Sequence, residues 1–395
     1  MSSEQYDLES IFANLTSHVK GQDEALKNLS VLLSMHMFWF RRRMLDHPSP
    51  NGLMIGPTGV GKTYTIQRAA EILQIPYVVV DTTALVPAGI VGLQIEDVAE
   101  ELVESAKALL SGRRIQASSR ATGARLEGES GALRPVGEPV PSSTLVDDLR
   151  KSLGLATAQP TLRLSRDSEE RLTRDAIALA EKGIVFFDEF DKIAIPDAKD
   201  RSSRDMAAQV QRRLLKFIEG AAVRVGVKQH GHNSTDYFLD TSGILCIGSG
   251  AFADIGDARR RRAHELARFR ATAAGDVIAQ DLIEYGFMPE LIARLPVLMQ
   301  YGALDVGALK EILLDAEQGP LRVWQQYYAD LELTLDVSAE VGEIVAQYAF
   351  ALKLGARGLS QILFPILADS TTIAKLTGAT HVILRADQFL AHPSM

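Results

Sequence analysis

The feature that most constrains this chain is a glycine-rich turn that ends in a lysine and a threonine. Residues 56–63 fit the pattern G-x-x-x-x-G-K-[ST] of a phosphate-binding loop. In such a loop the glycines let successive backbone N–H groups point at phosphate oxygens, the lysine reaches the β- and γ-phosphates, and the final hydroxyl holds Mg²⁺. The pattern predicts a nucleotide site formed by Gly56, Pro57, Thr58, Gly59, Val60, Gly61, Lys62 and Thr63.

The residues on both sides of this loop fit the same interpretation. Residues 53–55 are apolar and predict a short buried strand that leads into the loop. Residues 63–73 have the periodicity of a helix, whose N-terminus would face the bound anion. A glycine-rich turn that arises by chance needs neither flank, so we expect the loop to bind phosphate.

Composition places the chain among ordinary globular proteins. Its 395 residues suffice for two domains, and 46% of them are hydrophobic and 23% charged. The net charge of −8 makes nucleic acid an unexpected partner. The single cysteine, Cys246, excludes a disulfide framework and a multi-cysteine zinc module. A polar N-terminus and the lack of an apolar stretch of ~18 residues predict a cytoplasmic protein without a membrane segment.

Strands and helices alternate along the first three hundred residues. Apolar runs predict strands at 53–55, 77–80, 184–187 and 244–247. Helical periodicity covers 10–43, with a break near 19–22, and then 63–73, 94–110, 167–182 and 204–219. Strands that are apolar on both faces are typical of a parallel sheet covered by helices on each side, which predicts an α/β fold.

The pattern changes after residue 300. Helical periodicity prevails there, with short strands predicted at 331–335 and 381–384. We therefore expect a large α/β domain over residues 1–300, followed by a small, mainly helical domain over 301–395.

Two acidic residues directly follow the apolar strand at 184–187. In a protein with a phosphate loop, Asp188 at the strand tip would hold the water shell of Mg²⁺, and Glu189 beside it would polarise the attacking water. An apolar strand that ends in Asp-Glu is also common where a strand reaches the protein surface and its acidic residues have no catalytic role. The alternation of strands and helices downstream of the phosphate loop favours the catalytic interpretation.

With these residues in place, the sequence resembles the ClpX/HslU branch of the AAA+ ATPases. The likeness runs in order along nearly the whole chain. Besides the phosphate loop, it rests on Val-Lys-Gly-Gln at 19–22, Phe-Phe-Asp-Glu-Phe-Asp-Lys-Ile at 186–193, Leu-Lys-Phe-Ile-Glu-Gly at 215–220, Gly-Ala-Phe at 250–252, Phe-Met-Pro-Glu-Leu-Ile-Ala-Arg-Leu-Pro-Val at 287–297 and Gly-Ala-Arg-Gly-Leu at 355–359.

The resemblance implies an AAA+ P-loop NTPase domain followed by a small helical AAA+ domain. It further implies a homo-hexameric ring that hydrolyses ATP with Mg²⁺ at subunit interfaces and pulls a protein client through a central pore. Arg294 matches the family's arginine finger, with a simple salt bridge as the alternative role. Arg357 matches the second-sensor arginine, with helix capping or packing as the alternative. Ser249 or Gly250 would be the first sensor, and Val19 would line the adenine pocket or be a plain core residue.

The chain departs from the family pattern at the pore loop. The family has a glycine-aromatic-valine-glycine sequence, whereas this chain has Gly89, Ile90, Val91 and Gly92. An aromatic ring grips a passing chain through its area and stiffness, and isoleucine is smaller. Either the grip is weaker, or the client is not an extended chain, or Ile90 is ordinary loop packing.

Three other segments are candidate partner surfaces. Residues 111–160 are rich in loop-forming residues and predict a flexible insertion with one short helix at 145–153, either a recruitment site or a loop without a partner. The arginines 259–262 stand where ClpX carries its protease-docking tripeptide; they are either a solvated helix face or a docking site for an acidic partner or a peptidase, and less readily for nucleic acid. Lys228, His230 and His232 lie in a loop that is basic in ClpX, and a solvated loop is the simpler interpretation.

The leading functional hypothesis is an ATP-driven unfoldase or remodeller. The ring either feeds a separate peptidase or remodels a dedicated complex; the missing docking tripeptide and the missing zinc domain of ClpX favour the second version. The alternatives are an assembly scaffold in which ATP occupancy matters but turnover does not, and a nucleic-acid-associated AAA+ protein. The intact acid pair disfavours the scaffold, and the nucleic-acid hypothesis rests on the arginine cluster alone.

Overall fold

The computed structural model describes residues 7–42, 50–85, 92–111, 166–195, 201–226, 236–256, 277–314 and 319–391. Several of the predictions above lie outside these residues. They concern Gly89, Ile90 and Val91 of the pore loop, nearly all of the insertion 111–160 with its helix at 145–153, the arginines 259–262, and the loop with Lys228, His230 and His232.

The predicted parallel sheet forms the centre of the fold, and it has five strands. Its strands lie in the order β2-β3-β6-β1-β7. They are β1 (Gly52–Ile55), β2 (Tyr77–Asp81), β3 (Ile184–Asp188), β6 (Leu245–Gly250) and β7 (Val297–Gln300). Every residue of β1 and β6 is buried, which is what covering both faces of a parallel sheet requires. The register brings Gly52 beside Ile247, and Ile184 beside Leu245.

Helices cover both faces of this sheet. They are α1 (Leu8–His18), α2 (Asp23–Arg42), α3 (Lys62–Leu73), α4 (Ile95–Leu110), α5 (Arg166–Ala180), α6 (Arg201–Glu219), α7 (Ala279–Tyr285) and α8 (Pro289–Ala293). Because successive side chains of a strand point to opposite faces, Phe186 packs in the core with α1, α2 and α3, while its neighbour Phe187 packs in the core with α4, α5 and α6.

The predicted break in the first helical stretch is confirmed at residues 19–22. Helix α1 ends at His18. The N–H of the C-cap residue Val19 donates to the Leu15 carbonyl, and Gly21 adopts a left-handed φ of 70° before α2 begins. A Cβ on Gly21 would lie 2.9 Å from the Cβ of Ala308, so this turn sits directly against the C-terminal part of the chain. The break thereby places the end of α1 next to residues more than 280 positions away.

The C-terminal part is mainly helical. It comprises α9 (Val306–Leu314), α10 (Pro320–Asp330), α11 (Ala339–Ala351), α12 (Gly355–Thr377) and α13 (Ala386–Ala391), with a parallel pair of strands, β8 (Thr334–Val337) and β9 (His381–Leu384). The strand at 381–384 is confirmed. The division into domains at residue 300 stays a prediction, and the helices after β7 share a core with α1, α2 and α3.

The strand predicted at 331–335 is wrong in its first three residues. Leu331 still belongs to the end of α10, since its N–H bonds the carbonyls of Tyr327 and Tyr328. Glu332 then takes a left-handed φ of 59°, which no strand residue adopts, and β8 starts only at Thr334.

Three strands were missed by the sequence analysis. Strands β4 (Ala222–Gly226) and β5 (Asp236–Asp240) form an antiparallel pair outside the central sheet, and β7 is an edge strand of four residues.

Within the described ranges, no helix is long and apolar enough to cross a membrane.

Candidate nucleotide-binding site

A cavity of about 530 Å³ lies at the carboxyl ends of the central strands. Its walls come from distant parts of the chain: the end of α1, the phosphate loop with the start of α3, the turn after β3, the end of β6, and the first residues of α10 and α12. Crevices at this edge of a parallel sheet are the usual ligand sites of α/β proteins. Most of the residues that the sequence analysis selected for ATP therefore face one space.

The phosphate loop connects β1 to α3 and turns through left-handed glycines. Gly59 has a φ of 77° and Gly61 a φ of 94°, and a side chain at either position would strain the backbone. Gly61 is the N-cap of α3, so the free N–H groups of the first helical turn open toward the cavity. This geometry is that of an anion site.

Lys62 is buried at the base of the loop. Its Nζ donates to the carbonyl oxygens of Gly56 and Pro57, both at 2.7 Å. Burial lowers the pKa of Lys62, the carboxylates of Asp188 and Asp191 oppose that shift, and the charge of Arg357 adds to it. The ammonium group is thus held between loop carbonyls and two acids, where an added polyphosphate would favour its charged form.

The acid pair lies at the tip of β3, directly across from the loop. The Thr63 hydroxyl donates to Oδ2 of Asp188 at 2.9 Å. Glu189 has a left-handed φ of 53°, which is uncommon for a residue with a long side chain and indicates a backbone held by its surroundings. The Thr82 hydroxyl lies between the carbonyl oxygens of Asp188 and Glu189, 3.0 and 2.7 Å away, and fixes the turn that aims the two carboxylates.

Another wall of the cavity combines apolar and basic residues. Val19 lines it together with His18 and Lys20, and Pro320 comes from the start of α10. Val19 is 5% exposed, so its side chain serves both the core and the cavity wall. Val19 and Pro320 are apolar residues of this wall, against which a flat ring could pack.

The first turn of α12 closes the site from the C-terminal part. Ala356 and Arg357 line the cavity, and the N–H of Ala356 donates to the carbonyl of Gly59 at 2.9 Å. The phosphate loop and α12 are therefore in direct contact, and Arg357 follows that contact in the chain.

Known proteins resemble this chain along most of its length. Residues 152–298 match the family described as AAA domain (Cdc48 subfamily). The ATP-binding subunit ClpX 2 of the ATP-dependent Clp protease from Wolinella succinogenes is 28% identical over 360 residues, covering 89% of this chain and 74% of the relative. ClpX from Porphyromonas gingivalis is 28% identical over 382 residues, covering 90% and 75%.

These similarities support a ClpX-like AAA+ ATPase. The predicted resemblance and α/β fold are confirmed, and ATP hydrolysis with ATP-dependent unfolding or remodelling of proteins is the activity that goes with them. The nucleotide is therefore the ligand to consider for the cavity.

In this ClpX-like chain the structure leaves Arg294 outside the cavity. It follows α8, and its Nη2 lies 2.9 Å from Oε1 of Glu219 at the end of α6. The Arg294 side chain is 47% exposed. An exposed ion pair of this kind adds little stability, and the guanidinium is accessible from outside the molecule.

The first-sensor alternatives of the ClpX-like chain differ in what they offer. Ser249 is fully buried in β6, and its Oγ has no hydrogen-bond partner among the described residues. Gly250 lines the cavity but has no side chain, and a Cβ there would lie 2.6 Å from Oδ1 of Asp191. Ser249 is therefore the polar candidate of the two, while Gly250 makes room for Asp191.

The sequence analysis missed several residues of the site. Asp191 and Lys192 line the cavity just after the acid pair, and Thr82 holds that pair in place without touching the cavity. The position of Asp191 within Phe-Asp-Glu-Phe-Asp was a usable signal, since it is three residues from Asp188. No local pattern marked Thr82 or Pro320.

Of the predicted pore loop, the structure describes Gly92 alone. It precedes Leu93, which pairs with Leu85 in an isolated parallel bridge. The bridge holds the two ends of the 86–92 segment together, beside the start of α4.

Proposed function

We propose that the chain works as an ATP-driven ring motor that unfolds or remodels a protein client. The observation that carries the proposal is the division of charges: Lys62 and Arg357 line the cavity with the acid pair, whereas Arg294 lies outside it and exposed. A cation that a copy cannot bring to its own site can serve the site of a neighbour. Closed rings arise when two different surfaces of one chain meet in this head-to-tail way.

The proposal gives a role to each of the predicted site residues that follow. The N–H groups of the phosphate loop and Lys62 bind the phosphates, Val19 lies against the adenine, and Glu189 orients the attacking water. Arg357 in the same copy and Arg294 from the next copy neutralise charge as it develops on the transferred phosphoryl group. Ile90 between Gly89 and Gly92 would contact the client in the pore.

Magnesium fits the residues present. Mg²⁺ usually keeps several waters and takes one or two protein oxygens beside the phosphates of the substrate. The Thr63 hydroxyl and the Asp188 carboxylate are 2.9 Å apart, which places two such oxygens together. When bound with ATP, the ion would supply positive charge that offsets the negative charge of the phosphates. Thr63 and Asp188 would hold it there.

The partner of the motor is a separate part of the proposal. The curated relatives are named as ATP-binding subunits of the Clp protease. A coupled peptidase is thus one version, docked through residues 259–262 or 111–160, and remodelling of a dedicated complex without proteolysis is the other. We favour remodelling, because this sequence has no match to the docking tripeptide. A cytoplasmic location and six copies per ring belong to the same proposal.

Replacing Glu189 by Gln tests the motor. The change keeps the size of the side chain and removes its charge, so ATP should still bind while turnover falls by about 10²-fold or more, the range for loss of a positioned base. ATP-loaded rings should then retain client, to be identified by mass spectrometry of the captured protein. Glu284→Gln, an exposed glutamate on α7, is the matched control and should behave as wild type. A scaffold would keep its function in Glu189→Gln, and a chain that stays monomeric with excess MgATP would contradict the ring.

A further inference from the structure

A backbone hydrogen bond joins the phosphate loop to helix α12. The N–H of Ala356 donates to the carbonyl of Gly59 at 2.9 Å. The close approach depends on a glycine on each side: a Cβ on Gly355 would lie 2.8 Å from the Gly59 oxygen, and a Cβ on Gly59 would lie 3.1 Å from the Leu354 oxygen. Both distances are shorter than ordinary van der Waals contact. The missing side chain of each glycine therefore lets the backbone of the other segment approach closely.

The contact explains two features that the nucleotide site leaves open. The phosphate-loop pattern fixes the positions of Gly56, Gly61, Lys62 and Thr63 but not that of Gly59. Helix α12 also lacks a capping side chain, since Leu354 at its N-cap makes no side-chain hydrogen bond. The N–H groups of a first helical turn need a partner. Here the phosphate loop supplies one and acts as the cap of α12.

The geometry of the peptide unit carries this contact into the site. The carbonyl of Gly59 and the N–H of Val60 belong to one planar trans peptide, in which the two groups point in opposite directions. Because the carbonyl is directed at Ala356, the N–H of Val60 is directed away from α12. Loop N–H groups are the donors that cradle phosphate, and rotating this peptide would lose the bond to Ala356 and turn the Val60 donor at once.

We propose that the Gly59–Ala356 hydrogen bond positions the Val60 peptide for phosphate binding, so that Gly355 and Gly59 are positioning residues of the ATP site. The inference rests on the proposed nucleotide site. Its consequence is that the loop binds phosphate in full only while α12 lies against it. Nucleotide binding and the placement of α12 are thereby coupled through backbone atoms, separately from the charge of Arg357.

The two ends of α12 provide a matched pair of variants. Gly355 and Gly378 are both left-handed glycines, with φ of 61° and 70°, so alanine strains the backbone similarly at either position. A Cβ at Gly378 meets nothing within 4 Å, whereas a Cβ at Gly355 meets the Gly59 carbonyl. Only Gly355→Ala disturbs the contact, and Gly378→Ala controls for the cost of the strain.

The measurement is the Kd of ADP and of ATP, with Tm recorded for each variant. Gly355→Ala should weaken both nucleotides by about five- to tenfold relative to Gly378→Ala, the range expected for one lost hydrogen bond. The loss for ADP should persist in an Arg357→Ala background, because the contact acts on the loop. Equal Kd values for the two glycine variants would overturn the inference, as would a loss that disappears without Arg357.

Two further measurements keep the outcome clear. Lys62→Ala tests the site itself: if it binds nucleotide normally, the proposed site fails, and if it loses binding while Gly355→Ala equals Gly378→Ala, only the positioning contact fails. Should Gly355→Ala not fold, amide hydrogen exchange in the wild-type protein replaces it. The Ala356 amide should exchange more slowly with ADP bound than without, and an unchanged rate would overturn the inference.

Discussion

The Thr63 hydroxyl donates a hydrogen bond of 2.9 Å to the Asp188 carboxylate, across 125 residues of sequence. It joins the first turn of α3 to the tip of β3, which are the two elements that carry the phosphate loop and the acid pair. A chain that folds in this way has assembled a candidate magnesium site as part of its fold. The hydrogen bond between Thr63 and Asp188 therefore joins two elements of the fold and also brings together the two proposed magnesium ligands.

Thr63→Val should strongly reduce MgATP turnover while preserving the fold. Valine has nearly the shape of threonine but no hydroxyl, so the proposed metal position loses one oxygen and ATPase activity should fall by about 10²-fold or more. Thr63→Ser keeps the hydroxyl and should retain most of the activity. The check is ATPase rate against Mg²⁺ concentration for the three proteins. Equal rates for valine and serine would remove Thr63 from the metal site.

Arg294 should act on the site of a neighbouring copy. Arg294→Ala should reduce ATPase activity by about 10³-fold, the lower range for a catalytic arginine supplied from outside, and leave the Kd of ATP nearly unchanged. Glu219→Gln is the control, because it breaks the same 2.9 Å ion pair but leaves the guanidinium. If Arg294 served only that ion pair, the two variants would behave alike.

Mixing two inactive variants tests the same prediction from another side. Arg294→Ala keeps an intact cavity, and Glu189→Gln keeps an intact arginine. In mixed rings an Arg294→Ala cavity beside a Glu189→Gln copy has every required group, so mixing should restore part of the ATPase activity. No recovery in rings shown to contain both variants would place Arg294 in its own copy's chemistry or in none.

The sequence predicted the parts of this site that local chemistry marks. The phosphate loop, the acid pair and the strands that lead into them follow from short patterns, because each has to present backbone N–H groups or carboxylates at a strand end. Strand β3 is apolar throughout before Asp188, so its place inside a parallel sheet was readable as well.

The remainder depends on contacts between distant residues. Strand β4 alternates buried and exposed residues and contains an exposed arginine, so it lacks the apolar run that marked the central strands. Thr82 fixes the acid turn from 106 residues away, and a threonine after a strand has many other uses. The hydrogen bond from Ala356 to Gly59 spans nearly three hundred residues, and no local sequence pattern at either residue predicts it.

Gln22 should contribute to stability through a reciprocal pair of hydrogen bonds. Its side-chain amide donates to the carbonyl of Gly302 and accepts from the N–H of Gly302, both at 3.0 Å, and the residue is 4% exposed. Gln22→Ala leaves both backbone groups without this partner and should lower the free energy of unfolding by about 2–3 kcal/mol. Gln347→Ala, an exposed glutamine on α11, is the control and should change it by less than about 0.5 kcal/mol. Urea denaturation of the three proteins checks this, and equal midpoints would show that the pair contributes nothing.

His36 should make the protein less stable in mild acid. It is 2% exposed, and its Nε2 lies 2.9 Å from the carbonyl oxygen of Lys182, which can only accept, so the neutral ring donates. Burial lowers the pKa of His36 to about 4, although the bond to the carbonyl opposes part of that shift. In the unfolded chain an ordinary histidine has a pKa of about 6.5.

The sign follows from these two pKa values. Below about pH 6.5, His36 binds a proton in the unfolded chain but not in the folded chain. The free energy of unfolding therefore decreases as the pH falls from about 6.5 toward about 4. For one group the decrease approaches ~1.4 kcal/mol per pH unit, or ~2 kcal/mol between pH 6.5 and 5. His36→Gln keeps a donor for the Lys182 carbonyl but does not titrate. Between pH 7.5 and pH 5.0 the free energy of unfolding of the wild type should therefore fall by ~2 kcal/mol more than that of the variant. Denaturation curves at the two pH values measure this, because the contributions of all other groups cancel in the difference. Parallel pH profiles would mean that His36 is protonated, or exposed, in the folded protein.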